Sequence, residues 1–585
     1  MTIIPRVLLL AAALSSAGCV TYYAEEPKTV VGDYLSAQFA ARTQDIASAA
    51  DRYTKVHAAA PGAEAVLRDA FFYQLAAGET EAAFSLAQEL VAKEADDGLA
   101  LMILASREIK RGQYPRARTL LRDGVDTEFL AATANIVHGW SVVGMDGARA
   151  GLESIKARSS EEFQGFYPFH QANLLEAIGD EAGARSAYRL STTAFSGSVS
   201  YLAYGSFLER TGATSDAFAF YSAIVNEPGG VREAAKRGLA RLEAGRAPGD
   251  FEQLSPEKGA AIAYFALGRA ILQQSESQRI AAERAGFRVT LSNYNLPLAL
   301  IRTALYLDPE FDDARMLTGR ILNVYGTHES AIAEFRKVGK KSPFYPEARA
   351  SIASGLAALE RDDAAIDVLE ATISAAEDPR DLQFSLASLL STRERYADAV
   401  AVMDELIDGL SDDDATVSAW RYYILRGDAR LRMENWPGAV ADLQKAYELA
   451  PEEPTTLNYP GYSWAERGEN LEEAFKLIEK AIELNPSSGA IIDSLGWAHY
   501  QLGDYEEAIG HLEQAASLEP SDPTITDHLG DTYWRLGRKI EARYEWRRVL
   551  ELEPTEKLSA AVRGKLRDGL PALDKSASDE TDRDE

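Results

Sequence analysis

The sequence is short of the residue types that most often carry chemistry. Its 585 residues include one cysteine, Cys19, and seven histidines. A single thiol cannot form an internal disulfide. Sequence motifs of P-loop, zinc-protease, α/β-hydrolase and paired-cysteine sites are absent. We therefore expect a protein that is not an enzyme and that binds no metal and no cofactor.

Positive charge is also scarce, and long apolar runs are missing. The chain has 61 Lys and Arg against 90 Asp and Glu, a formal net charge of -29. A surface this acidic repels nucleic acid and anionic lipid headgroups, so neither is an expected partner. The sequence contains no run of 18 or more apolar residues, the length that a helix needs to span a bilayer.

The N-terminal segment "MTIIPRVLLLAAALSSAGCV" has a basic residue, a short apolar run and then small residues. This order is typical of a secretory signal. The small residues before Cys19 resemble a bacterial lipobox, although Ser16 stands where leucine is usual. The resemblance implies a signal peptide over residues 1–18 and lipidation of Cys19. An ordinary secretory signal with an incidental thiol is the alternative.

A period of 34 residues dominates the C-terminal half. Residues 491–520 align with residues 525–554 without a gap, and the alignment matches Leu495 with Leu529, Gly496 with Gly530, Gly503 with Gly537, Ala508 with Ala542 and Pro520 with Pro554. The residue types at these positions and their spacing resemble the tetratricopeptide repeat, or TPR. The resemblance implies an all-α superhelical solenoid of about thirteen helix-turn-helix repeats, tiling residues 30–556.

Breaks in the period divide the chain into predicted segments. They are a signal peptide at 1–18, a lipidated tether at 19–29, a degenerate repeat array at 30–246, a linker at 247–258, a middle array at 259–412 with an insertion near 275–295, a regular array at 413–556, a capping helix at 557–571 and a disordered acidic tail at 572–585. In the insertion, the extra residues extend a helix or form a loop.

The first helix of each repeat lines the concave face in this family, which implies a protein-binding groove. Carried over position by position, the groove comprises Asn458, Tyr462, Asp493, Trp497, Tyr500, Asp527, Asp531, Trp534 and Arg535. Aromatic and acidic side chains together suit an extended peptide or a helix. The family's carboxylate clamp needs lysine where Asp493 and Asp527 stand, so that clamp is not expected. The alternative for Trp497 and Trp534 is packing between repeats.

Pro460 interrupts the first helix of one repeat, in the slot that Leu495 and Leu529 fill later. A proline costs little in the first helical turn, where its missing amide has no partner. We therefore predict that this helix starts late, near Tyr459, with Asn458 as its N-cap. Pro460 then marks either a flexible joint or a tolerated local change.

A lipobox followed by repeats to the end resembles the large TPR lipoproteins of the proteobacterial outer membrane. The resemblance implies a lipid-anchored, periplasm-facing scaffold, similar to adaptors that present cell-wall hydrolases to a carboxyl-terminal processing protease. Val20, rather than Asp, follows Cys19. By resemblance to Gram-negative lipoproteins, this implies sorting to the outer membrane. An envelope-assembly factor that binds glycan or lipoprotein clients is one alternative. An enzyme with a site in the 275–295 insertion is another.

Overall fold

The computed structural model describes residues 30–571, apart from 94–95, 123–124, 126–127, 160–163, 195–196, 228, 247–250, 285–292, 377, 411–418 and 553. The predicted signal peptide, Cys19, the tether and the acidic tail lie outside the described residues. Within the described ranges, the chain forms 29 α-helices and no strand. It divides into two compact units, Met1–Ala348 and Arg349–Glu585.

The helices of the first unit are α1 Val30–Arg42, α2 Ile46–Ala59, α3 Glu64–Ala77, α4 Thr80–Lys93, α5 Gly98–Lys110, α6 Tyr114–Leu120, α7 Glu128–Arg158, α8 Pro168–Ala177, α9 Glu181–Ala194, α10 Ser198–Arg210, α11 Thr214–Ile224, α12 Gly230–Glu243, α13 Pro256–Arg284, α14 Asn295–Leu307, α15 Asp312–Val324 and α16 His328–Phe335. Helix α7 is two helices joined at Gly147, where φ is 84°. The boundary between the units falls inside α17 Tyr345–Ala358.

The remaining helices are α18 Asp362–Ile373, α19 Arg380–Thr392, α20 Tyr396–Asp408, α21 Trp420–Arg432, α22 Trp436–Leu449, α23 Pro454–Arg467, α24 Leu471–Leu484, α25 Gly489–Leu502, α26 Tyr505–Leu518, α27 Pro523–Arg535, α28 Lys539–Glu551 and α29 Glu556–Asp568. Consecutive helices from α18 to α29 pack on one another. The odd-numbered helices α19 to α27 also contact each other, and they form the inner row.

The repeat glycines explain why these residues form hairpins. Gly503 ends α25 in the left-handed region, at φ 84°, where glycine avoids the penalty that a side chain would meet. Gly496 lies against the paired helix, and a Cβ there would be 2.7 Å from Leu512 Cγ. The all-α tetratricopeptide solenoid predicted from the 34-residue period is confirmed.

The first unit differs from an open array, because its own later helices cover its earlier ones. Helix α13 packs against α5 and α7, and helix α14 packs against α3 and α5. Tyr264 of α13 is fully buried, and its hydroxyl donates to the carbonyl of Met102, 2.7 Å away. Ser106 Oγ lies 2.7 Å from the same hydroxyl.

Contacts along both helices continue this packing. The backbone at Gly259 of α13 touches the ring of Trp140 so closely that a Cβ would lie 2.1 Å from it. In α14, the Tyr306 ring meets Phe84 edge-on at 5.0 Å. Lys110 Nζ donates to the carbonyl of Leu307 over 2.7 Å. Helices α13 and α14 therefore form the centre of the first unit.

The structure describes part of the segments predicted around these helices. Within the predicted linker at 247–258, α13 begins at Pro256, and Leu254 N donates to Asn173 Oδ1 over 3.4 Å. Helix α13 continues through the start of the insertion to Arg284. The rest of the insertion up to residue 292 lies outside the described residues. None of the described helices is both long enough and apolar enough to cross a membrane.

The predicted late start of the Pro460 helix is wrong. Helix α23 runs unbroken from Pro454 to Arg467 and includes Pro460. Glu453 is the N-cap residue, and Pro454 takes the first helical position, which suits its fixed φ. Asn458 is therefore a residue of the helix body, on the inner row.

A candidate protein-interaction face

The inner row and the last helix, α29, present one side chain each at the same repeat position. Asp428 of α21 is followed by Tyr462, Trp497, Asp531 and Lys565 at intervals of 34, 35, 34 and 34 residues. Because each interval matches the repeat length to within one residue, these side chains follow one line along the helices. We call this line the inner ladder.

At its C-terminal end the ladder is closed by an internal ion pair. Lys565 Nζ of α29 lies 2.7 Å from Asp527 Oδ2 and 2.8 Å from Asp531 Oδ2. The indole Nε1 of Trp546 also donates to Asp531 Oδ1, over 2.9 Å. Burial and the neighbouring Asp527 raise the pKa of Asp531, against the opposing effect of Lys565. Both predicted groove acids of α27 are thus bound to a cation of the chain itself.

The acid of the preceding helix is occupied in the same way. Asp493 is buried, and both of its carboxylate oxygens lie 3.0 Å from Nδ1 of His528. Burial alone would lower the pKa of His528, but the Asp493 carboxylate raises it above the ordinary value of 6.5. Asp493 therefore joins α25 to α27.

Trp497 is held between two other rings. The Tyr500 ring stacks on it at 4.4 Å and an interplanar angle of 6°, and the His528 ring stacks on it at 3.8 Å and 14°. Arg535 Nε donates to the Tyr500 hydroxyl over 3.2 Å. Burial raises the pKa of Tyr500 to about 12, so its hydroxyl is protonated. This ring stack joins repeats, and the geometry matches the packing alternative for Trp497.

Trp534 and Arg535 also make contacts within the chain. The Trp534 ring is tilted against Trp546 at a centroid distance of 5.3 Å. Lys539 Nζ lies 5.0 Å from the Trp534 centroid, a cation–π contact. Arg535 Nη1 donates to the carbonyl of Pro571 over 2.6 Å.

An unpaired polar atom remains further back, where α21 meets α23. Asn458 Oδ1 is buried and has no hydrogen-bond partner among the described residues. Tyr462 lies one helical turn along on the same side of α23, and burial raises the pKa of its half-buried phenol. On α21, burial raises the pKa of Asp428, and Arg432, 3.7 Å away, opposes that effect. We call Asp428, Arg432, Asn458 and Tyr462 the inner seam.

The predicted residues thus form two groups. Asp493, Trp497, Tyr500, Asp527, Asp531, Trp534 and Arg535 make one network that fastens the last repeats, and Asn458 and Tyr462 belong to the inner seam. Four residues of these groups were not predicted from the sequence: His528, Lys565, Asp428 and Arg432. Lys565 follows Asp531 by one repeat length, and that spacing could have identified it as the ladder's next member.

The inner seam is suited to an extended chain. An unpaired amide oxygen accepts a backbone N–H, and a protonated phenol donates to a backbone carbonyl. Asp428 and Arg432 add one charge of each sign. Among the described residues, no three or more His, Cys, Asp or Glu side chains are grouped as a metal site would require.

Comparisons with known proteins agree with the repeat. Residues 424–489 match a family model described as "Tetratricopeptide repeat", and residues 496–537 match one described as "TPR repeat". The chain is 28% identical over 192 residues to a TPR repeat-containing protein of Pseudomonas aeruginosa. That match covers 33% of this chain and 32% of the relative, so the chain spans about a third of the relative's length.

Solved structures give the same kind of similarity at low scores. A thermophilic TPR protein of Thermus thermophilus is 20% identical, with a TM-score of 0.29, over 32% of this chain and 99% of that one. The APC/C heterotetramer Cut9–Hcn1 gives 15% identity and a TM-score of 0.36, over 93% of this chain and 97% of that one. Tetratricopeptide repeats are protein-interaction scaffolds, and both matched segments lie in the second unit.

Proposed function

We propose that this chain is a lipid-anchored periplasmic scaffold that binds an extended segment of a partner protein along the inner seam. The observation that supports it is the unpaired, buried Oδ1 of Asn458 beside the Tyr462 phenol. A buried acceptor without a partner costs about 1–3 kcal/mol. The Asn458 side chain is half-buried, so rotating it toward a bound backbone amide would remove that cost. The partner class, by resemblance, is a cell-envelope protease and the proteins that it cleaves.

The inner seam is favoured over the rest of the inner row for a physical reason. Asp493, Asp527 and Asp531 are saturated by His528 and Lys565, so a ligand would have to break ion pairs to reach them. The first unit offers less exposed surface for a partner, because α13 and α14 cover α3, α5 and α7. The covered faces of Trp497 also give the glycan-binding alternative less support.

The binding proposal is tested with the chain lacking residues 1–19 as bait for proteins of a bacterial envelope extract. Tyr462→Phe and Asn458→Leu each remove one polar group from the inner seam without reversing charge. Lys445→Glu, on the exposed side of α22, is the control. We expect a partner that the parent chain and the control both retain and that both seam variants lose. Equal capture by all four chains, or capture of nothing, would refute the proposal.

The anchor is tested separately. The resemblance of residues 1–19 to a lipobox supports lipidation of Cys19, with the acyl chains holding the protein in the outer membrane. In a Gram-negative host, Cys19→Ser should move the protein from the membrane to the soluble fraction. Processing of the parent chain should stop in the presence of globomycin. Unchanged fractionation of Cys19→Ser would contradict the anchor and leave the binding proposal standing.

A further inference from the structure

The last helices are basic in an otherwise acidic chain. Residues 535–567 contain ten Lys and Arg against five Asp and Glu. Several of these cations bind other groups of the fold. Arg548 donates to the carbonyl of Pro520, and Lys565 forms an ion pair with Asp527. Lys539 and Arg547 of α28 remain exposed. Among the described residues, Arg547 has no ion-pair or hydrogen-bond partner.

Large apolar side chains are exposed between these cations. Ile540 is 84% exposed and Tyr544 is 62% exposed. Ile540, Tyr544 and Arg547 are spaced four and three residues apart, so they lie on one side of α28. Lys539 and Arg543 flank them, and we call these five residues the basic–apolar stripe. Exposed apolar surface bordered by charge marks a place where another segment docks.

The described chain ends beside this stripe. The Trp534 ring touches the backbone at Gly569, where a Cβ would lie 2.1 Å from Trp534 Cζ2. The same ring carries Lys539 Nζ at 5.0 Å and Arg543 Cζ at 5.6 Å. Arg535 holds the Pro571 carbonyl. The last described residues therefore lie against a ring that two cations of the stripe also contact.

The residues that follow are complementary to the stripe in charge and in length. Residues 572–585, "ALDKSASDETDRDE", contain six acidic residues and two basic ones. Fourteen extended residues reach up to about 50 Å, whereas a helix of 13 residues is about 20 Å long. Leu573 is the large apolar side chain of this segment.

We propose that residues 572–585 fold back along α28 and occupy the basic–apolar stripe in the free protein. Acidic side chains then lie against Lys539, Arg543 and Arg547, and Leu573 lies against the apolar surface. A segment tethered this closely has an effective concentration in the millimolar range for flexible linkers, so even weak pairing keeps the stripe occupied. Salt screens such contacts, so occupancy falls as ionic strength rises.

The test uses a fluorescently labelled peptide of residues 572–585 and two forms of the chain, one extending to residue 585 and one ending at Pro571. Fluorescence anisotropy at low salt should show binding to the shortened chain and at least tenfold weaker binding to the longer chain, whose own segment competes. Lys539→Glu with Arg547→Glu in the shortened chain should abolish binding. Lys445→Glu, an exposed cation of α22, should leave binding unchanged.

Each other outcome overturns the inference. Equal binding by both forms means that the segment does not occupy the stripe, and equal binding by the stripe variant means that it occupies another surface. No binding to the shortened chain also contradicts the proposal. If that chain instead self-associates in sedimentation velocity and Ile540→Ser removes the association, a second copy is the occupant. Circular dichroism of each variant establishes that it is folded.

Discussion

Lys565 contributes more to the last repeats than one exposed lysine would. Its side chain is 17% exposed, and its ammonium pairs with two buried carboxylates, Asp527 and Asp531, which would otherwise repel each other. Removing one partner of a buried ion pair leaves an uncompensated charge, which is far more costly than the loss of a surface pair.

We expect Lys565→Met to lower the free energy of unfolding of the second unit by about 2–4 kcal/mol, somewhat below the usual range for buried pairs because Lys565 retains contact with solvent. Urea denaturation followed by tryptophan fluorescence measures the change. Lys557→Met, on the exposed side of the same helix, should change it by less than about 0.5 kcal/mol. If both variants lose the same amount, the ion pair is not responsible.

His528 makes the second unit sensitive to pH. Its pKa is raised in the folded chain by Asp493, so its contribution to stability is fully present below pH 6.5 and is lost as the pH rises through the folded pKa. We expect the urea midpoint of the second unit to fall across that window, and His528→Asn to flatten the dependence. His328→Asn, in the first unit, should leave it in place. A pH-independent midpoint in the parent chain would count against the pair.

The sequence predicts the helix on which each of these acids lies, but it does not predict their partners. Asp493, Asp527 and Asp531 lie on α25 and α27 of the inner row, and their role in a protein-binding groove stays a prediction. Position within a repeat fixes the direction of a side chain. The repeat alignment assigned these three acids to ligand binding. Their actual partners, His528 and Lys565, lie 34 to 38 residues further along the chain, in α27 and α29, so an alignment of single repeats does not reveal them. Whether two side chains on neighbouring inner helices contact each other depends on how the helices pack. The 34-residue period does not contain that information.

At the scale of single elements, α23 accommodates a proline in its interior. The helix continues through Pro460, so the carbonyl of Thr456 loses the amide donor it would normally have. Thr456 Oγ1 meanwhile donates to the carbonyl of Glu453 over 2.9 Å at the helix start. The proline therefore weakens one helix without ending it.

Pro460→Leu should raise the free energy of unfolding of the second unit by roughly 1–3 kcal/mol, because it restores the helix donor that proline lacks. Leu495 fills the same slot in the next repeat. Pro454→Leu is the matched control, since a proline in the first turn costs little. Thermal unfolding of the three chains measures the difference. A Pro460→Leu chain that is less stable than the parent would mean that the site cannot hold the larger side chain.

Helix α13 was predicted as one more repeat helix, and the structure places it at the centre of the first unit. The sequence "GAAIAYFALGRAIL" indicates this central position, because residues 260–267 are apolar on every side of the helix. A helix that is hydrophobic all round is a buried one, whereas outer helices show a polar face. The repeat period identified the helix, but only its even distribution of apolar residues indicated its depth.

Gly259 tests this central position. An added Cβ would lie 2.1 Å from the Trp140 ring, so we expect Gly259→Ala to push α13 from α7 and cost about 1–3 kcal/mol in the stability of the first unit. Gly510→Ala, in α26, meets no atom within 4 Å and should stabilise by about 0.5–1 kcal/mol. Differential scanning calorimetry of both variants measures the effects. Equal stabilisation by both would mean that α13 does not pack as described.

At the scale of the molecule, the two units are compact bodies with separate cores. Tyr264 lies in the first, and Trp546 lies in the second. Substitutions in units that unfold independently have additive effects on stability. Gly259→Ala should therefore shift one unfolding transition and Lys565→Met another, and the double variant should shift both by the same amounts. A single transition that moves with either substitution would show that the units unfold as one.

The central place of α13 and α14 also has a consequence in time. A chain synthesised from its N-terminus completes α7 at residue 158, and α14 is whole only at residue 307. At about 5–20 residues per second, these 149 residues take roughly 7–30 s. During that interval, the apolar sides of α3, α5 and α7 lack their cover. The first unit is therefore exposed to aggregation and to chaperones for seconds, whereas each hairpin of the second unit can pack on the preceding hairpin as soon as it emerges.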